Sequence, residues 1–408
     1  MNQRYLENYA KLLVQTGISA QSGERLEISF SEESLPLLRL VVDEAYRAGV
    51  RQIYYDFQDD ACLKSRYENA PDEAFTGVAD YDIDVMLKRL EDHCHIVRLE
   101  APNPKLLSDI DPERIETDMR TQATAGKAIQ NILMSNRAKW LIAAVANSAW
   151  AKLVYPDLNE AEAIEALWET IFKICRCDQV DPIAAWTQHN QELKRRQEVL
   201  NTQRFRKLIY QGPGIDFEVG LPSAHVWLGG SSDYVEGGSF MPNIPTEEVF
   251  TMPHRDEANG LLTATRPLAL HGQIVRDFSL EFKDGVVVKV VAKEGQEVLE
   301  KLIAMDEGAK HLGECALVDC NSPIYQSGLL FQNTLFDENA ACHFAFGAAY
   351  AETLEGAESL SEDEQLRQGM NQSLIHVDFM VGSEKLNITG ISADGSKTVV
   401  MENGHLKI

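Results

Sequence analysis

The chain has no apolar run long enough to cross a bilayer. Its most apolar stretch, Trp140 to Ala146, is far shorter than the roughly 20 residues a spanning helix needs. The N-terminus, Met1-Asn2-Gln3-Arg4-Tyr5-Leu6-Glu7, has no apolar segment of the kind a secretory signal carries. Basic residues are scarce: Lys and Arg total 38 against 63 Asp and Glu, a net charge of −25. That balance argues against a nucleic-acid surface, which needs a basic patch. Cysteine is sparse and scattered. The seven are Cys62, Cys94, Cys175, Cys177, Cys315, Cys320 and Cys342, with no CxxC pair. Cys175-Arg176-Cys177 is too tight for a structural zinc site. An odd, dispersed set reads as reduced thiols, so the expected compartment is the cytoplasm. Gly212-x-Gly214 and Gly229-Gly230 lack the helix-opening context of a phosphate loop, and there is no GxSxG elbow. Internal repeats and low-complexity segments are also missing.

What is present divides by texture. At 408 residues the chain is long for one core, which implies two domains. The first half alternates helical and strand-like segments. Helices are expected over 2–16, from Ser31 or Ser34 to Gly49, near 59–69 and 83–92, and over 159–176 and 181–200. Strands are expected at Arg25–Ser29, Val50–Phe57, Cys94–Leu99 and Trp140–Ala146. This alternation implies an α/β fold with an open, mostly parallel sheet and covering helices. The second half is rich in Gly and Pro. Asp284-Gly285, Asp394-Gly395 and Asn403-Gly404 are hairpin signals. It reads as a mixed or antiparallel β-rich domain with helices near 295–311 and 339–354. The change of texture falls within 200–213, which divides the chain into 1–205 and 206–408.

Acids and histidines set among apolar residues concentrate in this second half. Such groups are costly to bury unless a positive partner meets them, and a divalent metal is the most economical partner for several at once. His376 and Asp378 lie in Leu374-Ile375-His376-Val377-Asp378-Phe379-Met380, where strand period puts both on one face. The alternative is an edge strand with two solvated polar residues. In Phe336 to Tyr350, Asp337 or Asn339 can cap a helix. His343, Gly347 and Tyr350 would then follow one stripe at i, i+4 and i+7, with Glu338 at the helix mouth. The bland reading there is a core histidine and a capping acid. Glu314 opens an apolar strand after Gly313. Glu247 and Glu248 follow Pro242-Asn243-Ile244-Pro245, a rigid turn; one can bind metal while its neighbour supports it. Alternatively both face a helix dipole. His93-Cys94-His95 has strand period but no acidic company in sequence, and reads as structural.

The runs Phe240-Met241-Pro242-Asn243-Ile244-Pro245-Thr246-Glu247-Glu248-Val249-Phe250-Thr251, Asp306-Glu307-Gly308-Ala309, Thr334-Leu335-Phe336-Asp337-Glu338-Asn339-Ala340 and His376-Val377-Asp378-Phe379-Met380 closely resemble the aminopeptidase T family of metallopeptidases. The match runs in order through the C-terminal half; the N-terminal half fits in length and character only. The resemblance implies an exopeptidase that uses two divalent metal ions to remove N-terminal residues from peptides, and a homodimer. Carried over by position, the metal ligands would be Glu248, Glu314, Glu338, His343, His376 and Asp378, with Tyr350 near the reacting carbonyl. Four carboxylates and two imidazoles suit zinc, cobalt, manganese or magnesium. Glu247 is a general-base candidate by adjacency alone. A non-catalytic metal- or peptide-binding protein on the same scaffold is the competing expectation. A glycosidase using two of the carboxylates would leave His343, His376 and Asp378 unexplained.

Overall fold

The computed structural model describes residues 1–270 and 273–408. The chain forms two compact units: Met1–Gln188 with Ser231–Pro245, and His189–Gly230 with Thr246–Ile408. Where the sequence reading placed one cut at 205, the units interleave. The first break falls inside the Pro182–Gln203 helix, and 231–245 belongs with the N-terminal unit.

The first unit holds a five-stranded sheet whose neighbouring strands are all parallel. The order is Asn243–Ile244, Trp140–Ala144, Cys94–Glu100, Arg25–Phe30, Gln52–Phe57. This is the α/β class expected from helix–strand alternation. The Pro242–Pro245 segment, expected as a rigid turn, instead supplies the outer strand, with Asn243 opposite Ile142 and Ile244 opposite Ala143. Leu6, Tyr9 and Leu12 of the Gln3–Leu12 helix are buried, and the rings of Tyr5 and Tyr9 meet Phe172 of the Glu160–Ile174 helix edge-on. The first helix gives way to a π turn over Leu13–Gly17. It ends at Gly17, where a Cβ would lie 2.7 Å from Leu141 Cδ2, so glycine lets the Leu141 side chain pack close to the backbone. Ser34, not Ser31, occupies the cap position of Leu35–Arg47. Helices at Pro112–Ala125, Lys127–Met134 and Ser148–Val154 complete the covering layer. His95 is buried: Nδ1 accepts from the Lys139 N–H at 3.1 Å and Nε2 lies 3.2 Å from Glu24 Oε1.

The second unit contains a nine-stranded sheet and a five-stranded antiparallel sheet. Each hairpin signal sits where two strands of the larger sheet turn back. Asp284-Gly285 and Asn403-Gly404 have positive φ at both residues, as a tight two-residue turn requires. The smaller sheet runs His376–Met380, His343–Gly347, Leu312–Val318, Glu248–Thr251, Leu228–Gly229. One of its faces packs into the aromatic core: Phe346 stacks on Phe379 at 4.6 Å, Phe344 meets Tyr210 at 5.1 Å, and Phe278 meets Phe379 at 6.0 Å. Strand alternation then turns the intervening residues to the other face.

Two expected helices need correction. The one near 339–354 does not form. Thr334–Asp337 is a single turn, Glu338–Ala340 is 3₁₀, and His343–Gly347 is a fully buried strand. Phe344 and Phe346 recur every second residue, and burying both against the aromatic core outweighs the helix preference of the flanking alanines. Near 295–311 the α-helix covers only Gln296–Ile303, followed by a 3₁₀ turn at Gly308–Lys310.

Candidate metal centre

The exposed logic of the site is the register of the smaller sheet. Ala345 stands opposite Glu314 on one side and Asp378 on the other. His343 stands opposite Ala316 and Met380, and Gly347 opposite His376. Paired residues share a face, so Glu314, His343, His376 and Asp378 lie on the side of the sheet that also carries the small residues Ala316, Ala345 and Gly347. Glu248 enters from the neighbouring strand, opposite Val318. Gly313 forms an irregularity just before Glu314, where the chain passes so close to the next strand that a Cβ would lie 2.2 Å from the Ala348 carbonyl oxygen. The irregularity re-aims the acid that follows.

His343 Nε2 lies 3.2 Å from Glu248 Oε2 and 3.2 Å from Glu314 Oε1. His376 Nε2 lies 3.6 Å from Glu314 Oε2 and 3.4 Å from Asp378 Oδ1. The far nitrogens are already committed, since His343 Nδ1 is 3.0 Å from the Ala341 carbonyl and His376 Nδ1 is 2.7 Å from the Ala348 carbonyl. A carbonyl can only accept, so each Nδ1 carries a proton, and in a neutral ring each Nε2 lone pair then points at carboxylate oxygens. That juxtaposition requires a cation, either a proton or a metal. Glu248 Oε2 is buried and receives no hydrogen bond.

Titration follows the same logic. Burial opposes charge on His343, but Glu248 and Glu314 outweigh it and hold the imidazole well above its usual value. Burial likewise opposes charge on His376, yet Asp378 and Glu314 push it up to about 9. Burial raises Glu314 above the ordinary carboxylate range, against the opposing pull of His343 and His376. Burial, then Glu248 and Asp378, raises Glu338 strongly. A buried cluster that attracts protons in this way is suited to divalent cations.

Among the described residues, two groups have ligand atoms within 4.8 Å of one another: Glu248, Glu314 and His343, and Glu314, His376 and Asp378. Glu314 belongs to both. Oxygen and imidazole donors without thiolate fit a borderline or hard divalent ion. Glu338 belongs to neither group; its Oε1 accepts from Asn339 Nδ2 at 3.2 Å. Glu247 is buried beside Glu248, with its carboxylate 3.6 Å from His189 Nε2 and its backbone N–H donating to Asn339 Oδ1 at 2.7 Å. Tyr350 reaches the site by another route than the helical stripe expected of it. It follows the His343–Gly347 strand in a loop, and its ring lies 4.6 Å from that of His376 and 6.2 Å from that of Phe250.

Sequence reasoning passed over Ala345, Asn339, His189 and Glu352. Burial, then Glu314, raises Glu352 to about 7. Asn339 carried a visible signal in the run Asp337-Glu338-Asn339 but was assigned only a capping role. Asn333 takes that role, accepting from the Phe336 N–H at 3.3 Å.

Buried acids and imidazoles converging on one face of a β-sheet are a candidate metal-binding site. The profile of the thermophilic metalloprotease family M29 matches residues 2–406, and the chain belongs to that family. It is 43% identical over 403 residues to Aminopeptidase 2 of Geobacillus stearothermophilus, covering 99% of this chain and 98% of the relative. It is 39% identical over 402 residues to Aminopeptidase T of Thermus thermophilus, covering 98% of each. The solved structure of wild-type AmpT from Thermus thermophilus superposes with a TM-score of 0.93 at 37% identity, over 99% of both chains.

Proposed function

We infer that this chain is a metal-dependent aminopeptidase that hydrolyses the first peptide bond of peptides with a free α-amine. The carrying observation is the pair of imidazoles whose Nδ1 protons are fixed on backbone carbonyls while both Nε2 atoms face buried carboxylates. Membership of a metalloprotease family whose relatives are named aminopeptidases supports the reaction class.

Glu248, Glu314 and His343 would hold one divalent ion, Glu314, His376 and Asp378 a second, and Glu338 would complete the set. When bound, such ions supply an acidified water and a Lewis acid for the scissile carbonyl. Tyr350, whose ring lies against His376, is suited to donate its hydroxyl proton in a hydrogen bond to the oxyanion that forms as water adds to the carbonyl. Glu247 is the group next to the ligands that would take the water's proton and return it to the leaving amine. Zinc, cobalt, manganese and magnesium all suit this donor set. The reading extends to a cytoplasmic homodimer, on the family resemblance and on cysteines that form no disulfide among the described residues.

The test compares free amino acid released from an unblocked peptide and from its N-acetylated form, before and after chelation. Release from the unblocked peptide alone, lost with chelator and restored by zinc, cobalt or manganese, is expected. Equal rates on both peptides, or full turnover in protein shown to be metal-free, would overturn the reading.

A further inference from the structure

The side chain of Asn339 has no exposed surface, and it connects the two acids that stand outside both metal groups. Its Oδ1 accepts from the Glu247 N–H at 2.7 Å, while its Nδ2 donates to the Leu335 carbonyl at 3.0 Å and to Glu338 Oε1 at 3.2 Å. The orientation of the amide is forced. A backbone N–H only donates, so the oxygen must face Glu247, and the nitrogen then meets two acceptors. The backbone is pinned as well: the Ser322 hydroxyl donates to the Asn339 carbonyl at 2.9 Å and accepts from the Ile324 N–H at 3.2 Å.

A capping role does not account for these bonds. The acceptor end reaches a backbone N–H 92 residues away in sequence, and the preceding helical turn is already capped by Asn333. A buried amide that served packing alone would need partners but not these partners. Here one planar group fixes the backbone position of Glu247 and the rotation of the Glu338 carboxylate.

We propose that Asn339 is a positioning residue, clamping Glu338 by Oε1 so that Oε2 is offered to the cation, and setting Glu247 at a fixed distance from the same carboxylate. The proposal rests on the metal-dependent reading above. His189 closes the arrangement from the other side. Its Nε2 is 2.8 Å from the Thr246 carbonyl, to which it donates, and 3.6 Å from Glu247. The Thr246-Glu247 segment is thus held at both ends, by a ring and by an amide. Partners of this kind, which orient a metal's ligands without touching the metal, typically alter affinity or activity by about 10–100-fold when removed.

Asn339→Asp is the sharp probe. It preserves shape and the acceptor for the Glu247 N–H, but it replaces the donor with an oxygen facing Glu338 Oε1 and the Leu335 carbonyl. Asn339→Ala removes both ends and serves if the aspartate variant does not fold. The readouts are thermal unfolding of metal-free protein, titration of metal-free protein with Zn²⁺ or Mn²⁺, and kcat and KM on an unblocked peptide at saturating metal. The expected result is a folded variant with metal affinity weakened about 10–100-fold and kcat lowered, while KM stays within about twofold. In a Glu338→Gln background the same Asn339 change should alter metal affinity less than about twofold, because the clamped carboxylate is already gone. Wild-type affinity in a folded Asn339 variant, or an equal loss in both backgrounds, overturns the proposal. If wild-type protein itself binds neither metal, the aminopeptidase reading fails first, so the two failures are distinguishable.

Discussion

Glu314→Gln should remove metal from both parts of the centre at once, whereas Glu248→Gln and Asp378→Asn should each damage one part. The asymmetry follows from the geometry. Glu314 is the residue common to the two groups of converging ligand atoms, with one oxygen 3.2 Å from His343 Nε2 and the other 3.6 Å from His376 Nε2. Glu248 faces only His343, and Asp378 faces His376. Removing a partner that merely orients a ligand costs about 10–100-fold in affinity. Loss of a charged ligand in direct reach of two imidazoles should exceed the upper end, which corresponds to more than about 2.7 kcal/mol. The fold itself should survive. Burial already drives Glu314 toward its neutral form, and a neutral amide of the same shape removes a costly buried charge. Metal-free Glu314→Gln should therefore melt within a few degrees of metal-free wild type, or above it. Metal per chain after equilibration with limiting Zn²⁺, together with calorimetric titration, gives the answer. Wild-type metal content and affinity in Glu314→Gln, or identical losses in all three variants, would refute the assignment of Glu314 as the shared ligand.

Tyr350→Phe should lower kcat and kcat/KM together by roughly 10²–10³ with metal content unchanged, since it deletes the hydroxyl proposed as oxyanion donor beside His376; near-normal kcat would remove Tyr350 from the site. His95→Ala should cost about 1–3 kcal/mol in urea unfolding, because it strands the buried Lys139 N–H. Its kcat per folded molecule should be unaltered, and inactivation without destabilisation would place chemistry in the wrong unit. Glu352, raised by burial and then by Glu314 to about 7, binds a proton more tightly folded than unfolded. Its contribution to stability is complete below the unfolded carboxylate range and disappears as pH rises through 7. Glu352→Gln should accordingly gain stability relative to wild type between pH 5 and pH 8, measured as the difference in urea midpoint of the metal-free proteins. A difference independent of pH would show that Glu352 is not buried against the site.

The parts of the site that sequence makes legible are those where one short period carries the geometry. His376 and Asp378 are two apart in a strand and share one face, and Glu314 stands out near the start of an all-buried strand, because an acid among Leu, Ala and Val has no solvent to fall back on. The parallel sheet of the first unit is legible for a similar reason, since helix and strand alternate at regular length. His343 shows where local signals conflict. Ala340, Ala341, Ala345, Ala348 and Ala349 favour a helix by propensity, while Phe344 and Phe346 repeat with a period of two, and the repeat wins because both rings have an aromatic core to enter. The same conflict conceals Ala345. In a helix it would be filler; in the strand it is the residue whose small side chain leaves room between Glu314 and Asp378. Asn339 is hidden for a different reason: its meaning lies in a bond to Glu247, far away in sequence, and no local period encodes that distance. The interleaving of the two units is hidden likewise, because 231–245 belongs to the first unit through the parallel pairing of Asn243 and Ile244, a contact that two residues of sequence cannot announce. Long-range hydrogen bonds and small residues therefore carry the information that motif reading misses, and they lie next to the residues it finds.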